Sequence, residues 1–248
     1  MKVLGVIPAR YASSRFPGKP LVDIAGKSMI QRVYEQAQQA ELLDAVVVAT
    51  DDARIFSHVE GFGGQVHMTA DTHVSGTERA AEIAEKMPDY THYLNIQGDE
   101  PFIAPSQIDL LCSTLAAGAD IGTLIKPLTN PERLTNPNAI KVVLDQEGFG
   151  LYFSRSPIPF LRDEPDVSKW PERGLHFQHI GIYGFRREVL MNIPHLSPSP
   201  LEVSESLEQL RWLAQGYRIK TALTHEAATS VDTPEDLERL LEGLEEKA

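Results

Sequence analysis

The chain has 248 residues, enough for one large domain or one domain with a lobe. Hydrophobic residues make up 42% and charged residues 23%, the balance of an ordinary globular protein. A formal net charge of −12 leaves no evident basic face, which speaks against nucleic acid and against an anionic membrane surface as partners.

The first element is VLGVI at 3–7, a short apolar run that reads as a buried strand. The segment MKVLGVIPAR has too few apolar residues before its proline for a signal peptide or a membrane span, so a cytoplasmic, uninserted protein is expected. PARYASSRFPGKPL follows at 8–21 and gathers Arg10, Arg15 and Lys19 on one loop, with Lys27 a little further on. Such cations repel one another unless an anion binds, and guanidinium, ammonium and backbone N–H groups together form the usual cradle for phosphates. The loop has neither the G-x-x-x-x-G-K-[ST] order of a P-loop nor the G-x-G-x-x-G of a dinucleotide fold. Two readings fit it: a triphosphate cradle of the kind nucleotidyltransferases use, or a solvated basic loop.

Met29, Ile30, Val33, Tyr34 and Ala37 recur at helical spacing and predict a helix over 29–40. AVVVAT at 45–50 is a buried strand, and Asp51 and Asp52 after it read as caps of a helix over 53–60 that closes at Gly61 and the Gly63–Gly64 pair. QVHMT is a strand, 78–87 a helix, YLNIQ at 93–97 a strand that stops at Gly98, and 106–117 a helix behind Pro105. This β-α-β-α rhythm predicts an α/β fold with a parallel sheet covered by helices on both faces. Right-handed crossovers then put the strand carboxyl ends on one edge, where ligands bind. Asp99 in NIQGDEP falls on that edge. It can ligate a Mg²⁺ that neutralises a triphosphate, or cap a turn. Cys112, the one cysteine, sits in the apolar IDLLCSTLAA and reads as a core residue; one thiol allows no disulfide within the chain, which fits a reducing compartment.

The second half is less regular. AIKVVLD and GLYFSR flank QEGF as a β-hairpin. Residues 157–176 hold Pro157, Pro159, Pro165 and Pro171 with little periodicity and are expected to form a long, mobile excursion. HIGIYGF is a strand, 201–215 a single helix and YRIKTAL a strand. The last helix starts at Pro234, with Leu237, Leu240, Leu241 and Leu244 on one stripe. Thr233 as N-cap, Pro234 at N1 and Asp236 near N3 account for its start. Asp232 lies outside that cap and is a candidate second metal carboxylate.

IPARYASSRFPGKPL, TADTHVSGTER, NIQGDEP, NPNAIKVVLD, LYFSRSPIPF, HIGIYGF, LEVSESLEQLR and VDTPEDLER occur in this order along nearly the whole chain. Assembled, they resemble the 3-deoxy-manno-octulosonate (Kdo) cytidylyltransferases, also called CMP-Kdo synthetases. The opening loop is shared with related cytidylyltransferases; the full ordered set is the specific signal. The resemblance implies a Rossmann-like three-layer α/β sandwich of the nucleotide-diphospho-sugar transferase type, with a mostly parallel central sheet and a smaller irregular α+β lobe. It implies one nucleotidyltransferase domain over 1–248, with 155–200 as a dimer-contact or lid excursion, in a homodimer without nucleic-acid partners.

The implied reaction is CTP plus Kdo giving CMP-Kdo plus pyrophosphate, for lipopolysaccharide biosynthesis. By analogy Arg10, Ser13, Arg15 and Lys19 grip the triphosphate, and Ser75 and Arg79 meet the nucleotide. Ser75 and Thr77 can equally be helix caps. Arg10, Lys19 and Asp99 carry catalysis, while Asp99 and Asp232 hold Mg²⁺. Gln97, Arg155, His179, Tyr183, Glu208 and Gln209 are expected at the sugar acid, with Arg155 on its carboxylate. His179 and Tyr183 lie four apart on a strand and so share a face. HIGIYGF and LEQLR favour Kdo over a sialic acid; an 8-amino analogue of Kdo is the alternative acceptor. A regulatory module that had lost catalysis is expected to lack a metal carboxylate or the loop cations, and both are present here.

Overall fold

In the computed structural model, which describes residues 1–12, 16–226 and 230–245, nine strands form one sheet with helices on both faces. The first half alternates as the apolar runs predict. It comprises β1 (Val3–Ala9), a small ribbon of β2 (Asp23–Ile24) and β3 (Lys27–Ser28), α1 (Met29–Ala37), β4 (Ala45–Thr50), α2 (Ala53–Gly61), β5 (Val66–Met68), α3 (Gly76–Lys86), β6 (His92–Asn95) and α4 (Pro105–Ala116). The second half adds β7 (Ile121–Pro127), α5 (Pro131–Thr135), β8 (Lys141–Leu144), β9 (Gly150–Ser154), β10 (Phe177–Arg186), α6 (Arg187–Asn192), α7 (Pro200–Glu205), α8 (Gln209–Ala214), β11 (Ile219–Leu223) and α9 (Pro234–Glu245).

The strand order is β11-β7-β10-β6-β1-β4-β5. β6, β1, β4 and β5 run parallel, as do β7 and β11. β10 is inserted antiparallel between β6 and β7, and the predicted β8–β9 hairpin hangs from its start. Strand side chains alternate between two cores: Val3 and Ile7 of β1 face α1, α2 and α4, whereas Leu4 and Val6 face α3, α6 and α8. The three-layer α/β expectation therefore holds, with one antiparallel strand at the centre of the sheet.

Two local expectations fail for identifiable reasons. The single helix over 201–215 is two helices, because Ser206 takes a left-handed φ of 50° and ends α7. Ser199 and Glu202 form a capping box at the start of α7, so six residues suffice for that helix. Glu208 consequently stands at the N-cap of α8 instead of on the flank of a long helix. The 157–176 excursion is more ordered than its sequence suggests. It contains a 3-10 helix over Val167–Arg173 whose Trp170 packs on Leu128 and Leu134, with the indole N–H donating to the Glu164 carbonyl at 2.8 Å. One aromatic anchor leaves no periodic trace in a sequence.

The leucine stripe of α9 packs on Ile24, Met29 and Val231, together with Phe16, Val22 and Phe102. The final helix thus lies against the loop that follows β1.

Candidate active site

The loop after β1 folds back on itself. The Gly18 N–H donates to the Tyr11 carbonyl at 3.0 Å, and Gly18 has a φ of +73° with Tyr11 ring atoms 3.2 Å from where a Cβ would sit. Only glycine takes that position without strain. The next residues form a 3-10 turn over Lys19–Leu21 that directs Lys19 inward. Its Nζ lies 2.8 Å from Asp99 Oδ2 and 3.3 Å from Asp232 Oδ1. Arg10 borders the same space. Ser13 and Arg15, the other two predicted phosphate ligands, lie outside the described residues.

Asp99 arrives at the carboxyl edge through Gly98, where a Cβ would come within 2.8 Å of the Pro8 carbonyl. That contact lets the ends of β1 and β6 stay side by side. Asp232 is placed by backbone: the Val231 N–H donates to the Asp99 carbonyl at 2.9 Å, and the Val231 side chain is buried in the α9 contact. The cap ahead of α9 is the one anticipated. The Asp236 carboxylate accepts from the N–H groups of Asp232 and Thr233, and Thr233 Oγ1 accepts from the Asp236 N–H. The Asp232 side chain takes no part in that cap and points to Lys19.

These groups line a cavity of about 300 Å³ with Ser75, Asn95 and Glu208. Ser75 caps α3, accepting from the Glu78 N–H at 3.2 Å, and its hydroxyl donates to Glu208 Oε1 at 3.0 Å. Thr77 donates to Glu208 Oε2 at 2.8 Å. Burial pushes the Glu208 carboxyl above the ordinary range, and these two hydroxyls pull it back. Glu208, expected at the sugar, therefore ties the start of α8 to the start of α3. Asn95 Oδ1 is buried and has no partner among the described residues. Arg79, 3% exposed, also borders the cavity, but its guanidinium donates to Asp51 at 2.9 Å, to the Ala70 carbonyl at 3.3 Å and to the Thr69 hydroxyl. Only Asp52 caps α2, accepting from the Arg54 N–H; Asp51, also read as a cap, is the partner of Arg79.

A second cavity of about 350 Å³ shares Gln97, Asp99, Tyr183 and Asp232 with the first. Its wall is built from an irregularity in β10. Between Ile180 and Tyr183 that strand carries two residues more than β7. An even insertion preserves facing, so His179 and Tyr183 still share a side, with ring centroids 5.2 Å apart. The carbonyls freed by the bulge are met by side chains: Gln97 Nε2 donates to Gly181 at 2.7 Å, and the Thr123 hydroxyl to Ile182 at 2.7 Å. With its one proton directed to the Ile182 carbonyl, Thr123 accepts from His179 Nε2–H at 2.9 Å. Burial holds the His179 imidazole down to about 3, so it is neutral and keeps the Nδ1 lone pair as an acceptor. The Tyr183 hydroxyl is buried without a partner among the described residues, and burial and the nearby Glu208 push its pKa up. Gln209, buried at the start of α8, completes this wall.

Arg155 is not brought to either cavity. Its guanidinium donates to the carbonyls of Glu205 at 2.6 Å, Pro137 at 3.0 Å and Ser206 at 3.3 Å, and so clamps the left-handed break between α7 and α8. Sequence reading passed over Asn95, Glu100, Arg133 and Gln178, all of which line one of the two cavities. Glu100 is buried with Oε2 unpartnered among the described residues. Burial, then the neighbouring Asp99, raises its carboxyl to about 7. The available signal for Asn95 was an amide inside the apolar run YLNIQ.

Asp99 and Asp232 converge from separate elements on one point where a positive charge already sits. Among the described residues no three His, Cys, Asp or Glu side chains cluster as a metal cage. Two hard carboxylates fit a divalent cation that takes its remaining oxygens from a phosphate ligand.

Comparison with known proteins places the chain in a family. A family model described as cytidylyltransferase matches residues 4–220. The 3-deoxy-manno-octulosonate cytidylyltransferase of Parabacteroides distasonis is 50% identical over 247 residues, covering 97% of both chains. That of Porphyromonas gingivalis is 51% identical over 246 residues, 97% of this chain and 95% of the relative. A solved CMP:2-keto-3-deoxy-manno-octonic acid synthetase complexed with CTP superposes with a TM-score of 0.92 at 41% identity, over 100% of both chains. At 12% identity, 4-diphosphocytidyl-2C-methyl-D-erythritol synthase from Anaerococcus prevotii shares the fold, with a TM-score of 0.63 over 98% of this chain and 99% of that one. The chain belongs to the 3-deoxy-manno-octulosonate cytidylyltransferase family.

Proposed function

We infer that this chain activates Kdo by transferring CMP from CTP, with release of pyrophosphate, a step that supplies lipopolysaccharide synthesis. The observation that carries this reading is the meeting of two polar cavities at Asp99 and Asp232, the two carboxylates that Lys19 bridges. One takes the triphosphate and nucleoside, the other the sugar acid, and the junction is where phosphorus and acceptor oxygen must meet. The C2 hydroxyl of Kdo forms a bond to the α-phosphorus as the bond to the β-phosphate oxygen breaks. Pyrophosphate leaves with that electron pair and the hydroxyl proton passes to solvent water. Such a transfer needs positioning and charge neutralisation, and no covalent enzyme intermediate.

Arg10 and Lys19 place positive charge on the triphosphate, while Ser75 and Asn95 border the nucleoside. Gln97, the neutral His179, Tyr183 and Gln209 offer oriented donors and acceptors to the sugar. Mg²⁺ held by Asp99 and Asp232 would neutralise the phosphates and lower the pKa of the attacking hydroxyl. The 155–200 segment supplies a dimer contact; Phe160 at 75% and Leu175 at 53% exposure are apolar side chains in search of cover, and no helix among the described residues is long and apolar enough to cross a membrane instead.

The test is pyrophosphate release with Mg²⁺ across a panel of nucleoside triphosphates and 2-keto sugar acids. CTP with Kdo should give the highest kcat/KM. No release from CTP with any of the acids overturns the reading.

A further inference from the structure

A third cavity, of about 500 Å³, continues beyond the acceptor cavity, and nothing in the reaction described above uses it. Arg133 and Gln178 line both. The three cavities therefore stand in series. The nucleotide cavity meets the acceptor cavity at Asp99 and Asp232, and the acceptor cavity meets the outer one at Arg133 and Gln178. Lys126, at the end of β7, lines the outer cavity with His225 and Glu226, both exposed.

The wall at the second junction is cationic. Arg133 Nε and Nη2 donate to the same oxygen, Gln178 Oε1, at 3.4 and 3.1 Å, which fixes the guanidinium plane. The Arg133 charge adds to burial in holding the Lys126 ammonium below its ordinary range, and Glu100 opposes it. Among the described residues lining the acceptor cavity, Arg133 is the one cationic side chain at neutral pH, since His179 is neutral and Arg155 is clamped elsewhere.

An eight-carbon acceptor whose C2 hydroxyl lies at the first junction extends its exocyclic carbons away from the phosphates, toward the second. We propose that Arg133, with Lys126 behind it, reads the exocyclic end of the acceptor: it donates hydrogen bonds to a terminal hydroxyl and rejects an ammonium in the same place. This rests on the cytidylyltransferase reading and deepens it, because Kdo and its 8-amino analogue differ at that end alone. A fixed like charge is the usual means by which a site refuses a near-isostere.

The test compares kcat/KM for Kdo and for the 8-amino analogue near neutral pH, where an aliphatic amine keeps its proton. It uses saturating CTP and the wild type, Arg133→Gln, Arg133→Glu and Lys126→Gln. The ratio for two acceptors on one preparation is insensitive to any fraction that fails to fold. Wild type should favour the hydroxyl by about tenfold or more, Arg133→Gln should shrink that preference and Arg133→Glu should abolish or reverse it. Lys126→Gln should move it less, in the same direction. A ratio constant to within about twofold across all variants, or a wild-type preference for the amine, overturns the proposal. A wild type that turns over neither acceptor overturns the functional reading, and this proposal with it.

Discussion

The nucleotide and acceptor cavities hold polarity in opposite ways. On the nucleotide side the charges are formal and several are already paired: Lys19 lies between Asp99 and Asp232, and Arg79 is paired with Asp51. On the acceptor side the groups beyond the Asp99 and Asp232 junction are largely uncharged: an imidazole that stays unprotonated, two glutamine amides and a buried phenol with no partner among the described residues. A polyanion can be recognised by charges that exchange partners when it binds. A polyhydroxylated sugar offers only dipoles, so its wall must be oriented in advance, and leaving a polar atom unsatisfied is the cost.

The largest effect should come from neutralising the junction. Asp99→Asn and Asp232→Asn should each lower kcat by about a hundredfold or more in pyrophosphate release, because transition-state charge is then left unbalanced. A near-normal kcat in either variant returns that residue to a turn-forming role. Next comes the asymmetry between the cavities. Lys19→Ala should raise the KM for CTP far more than that for Kdo, and the reverse order would sink the assignment of this loop to the nucleotide.

Tyr183→Phe sharpens the contrast from the acceptor side. It should raise the KM for Kdo several-fold while leaving the melting temperature unchanged or higher, because the hydroxyl gives up no hydrogen bond within the described residues. A lowered melting temperature would mean that the phenol has a structural partner instead.

The smallest effect concerns acid stability. His179 is held neutral to about 3 in the folded chain, against an ordinary value near 6.5. The unfolded chain therefore binds a proton that the folded chain refuses as pH falls below about 6.5. This contribution is fully present above that value, declines on acidification and is exhausted near 3. In urea titrations between pH 7 and 4, His179→Gln should show a shallower loss of stability than wild type; parallel curves would remove His179 as a source of acid sensitivity.

The nucleotide side was the more legible in sequence, for a physical reason. Apolar runs such as VLGVI and AVVVAT fix parallel strands, their carboxyl ends fix an edge, and Asp99 and the loop cations fall on it by counting alone. Asp232 could be singled out because the cap formed by Thr233, Pro234 and Asp236 explained its neighbours and left it over. The acceptor side depends on departures from regularity. The left-handed Ser206 splits an apparently continuous helix and sends Glu208 toward α3. The bulge in β10 creates the carbonyls that Gln97 and Thr123 satisfy. That the Arg155 guanidinium lies on the carbonyls of Glu205, Pro137 and Ser206 could not be read in advance, because a guanidinium beside a strand end has no periodicity to say which acceptors surround it. Glu100 and Arg133 gave no signal because their importance lies in what their side chains lack among the described residues, a partner for Oε2 of one and a carboxylate for the other.

The pair between Lys19 and Asp232 joins positions 213 residues apart in the chain. During synthesis from the N-terminus, the loop that bears Lys19 waits roughly 10–40 s for Asp232 to be made. For the later part of that interval the growing polypeptide has Asp99 and the basic loop but no second carboxylate, and the leucines of α9 that hold Val231 against Asp99 do not yet exist. The carboxylate pair around Lys19 is thus completed by a residue that the α9 leucines seat against the loop following β1.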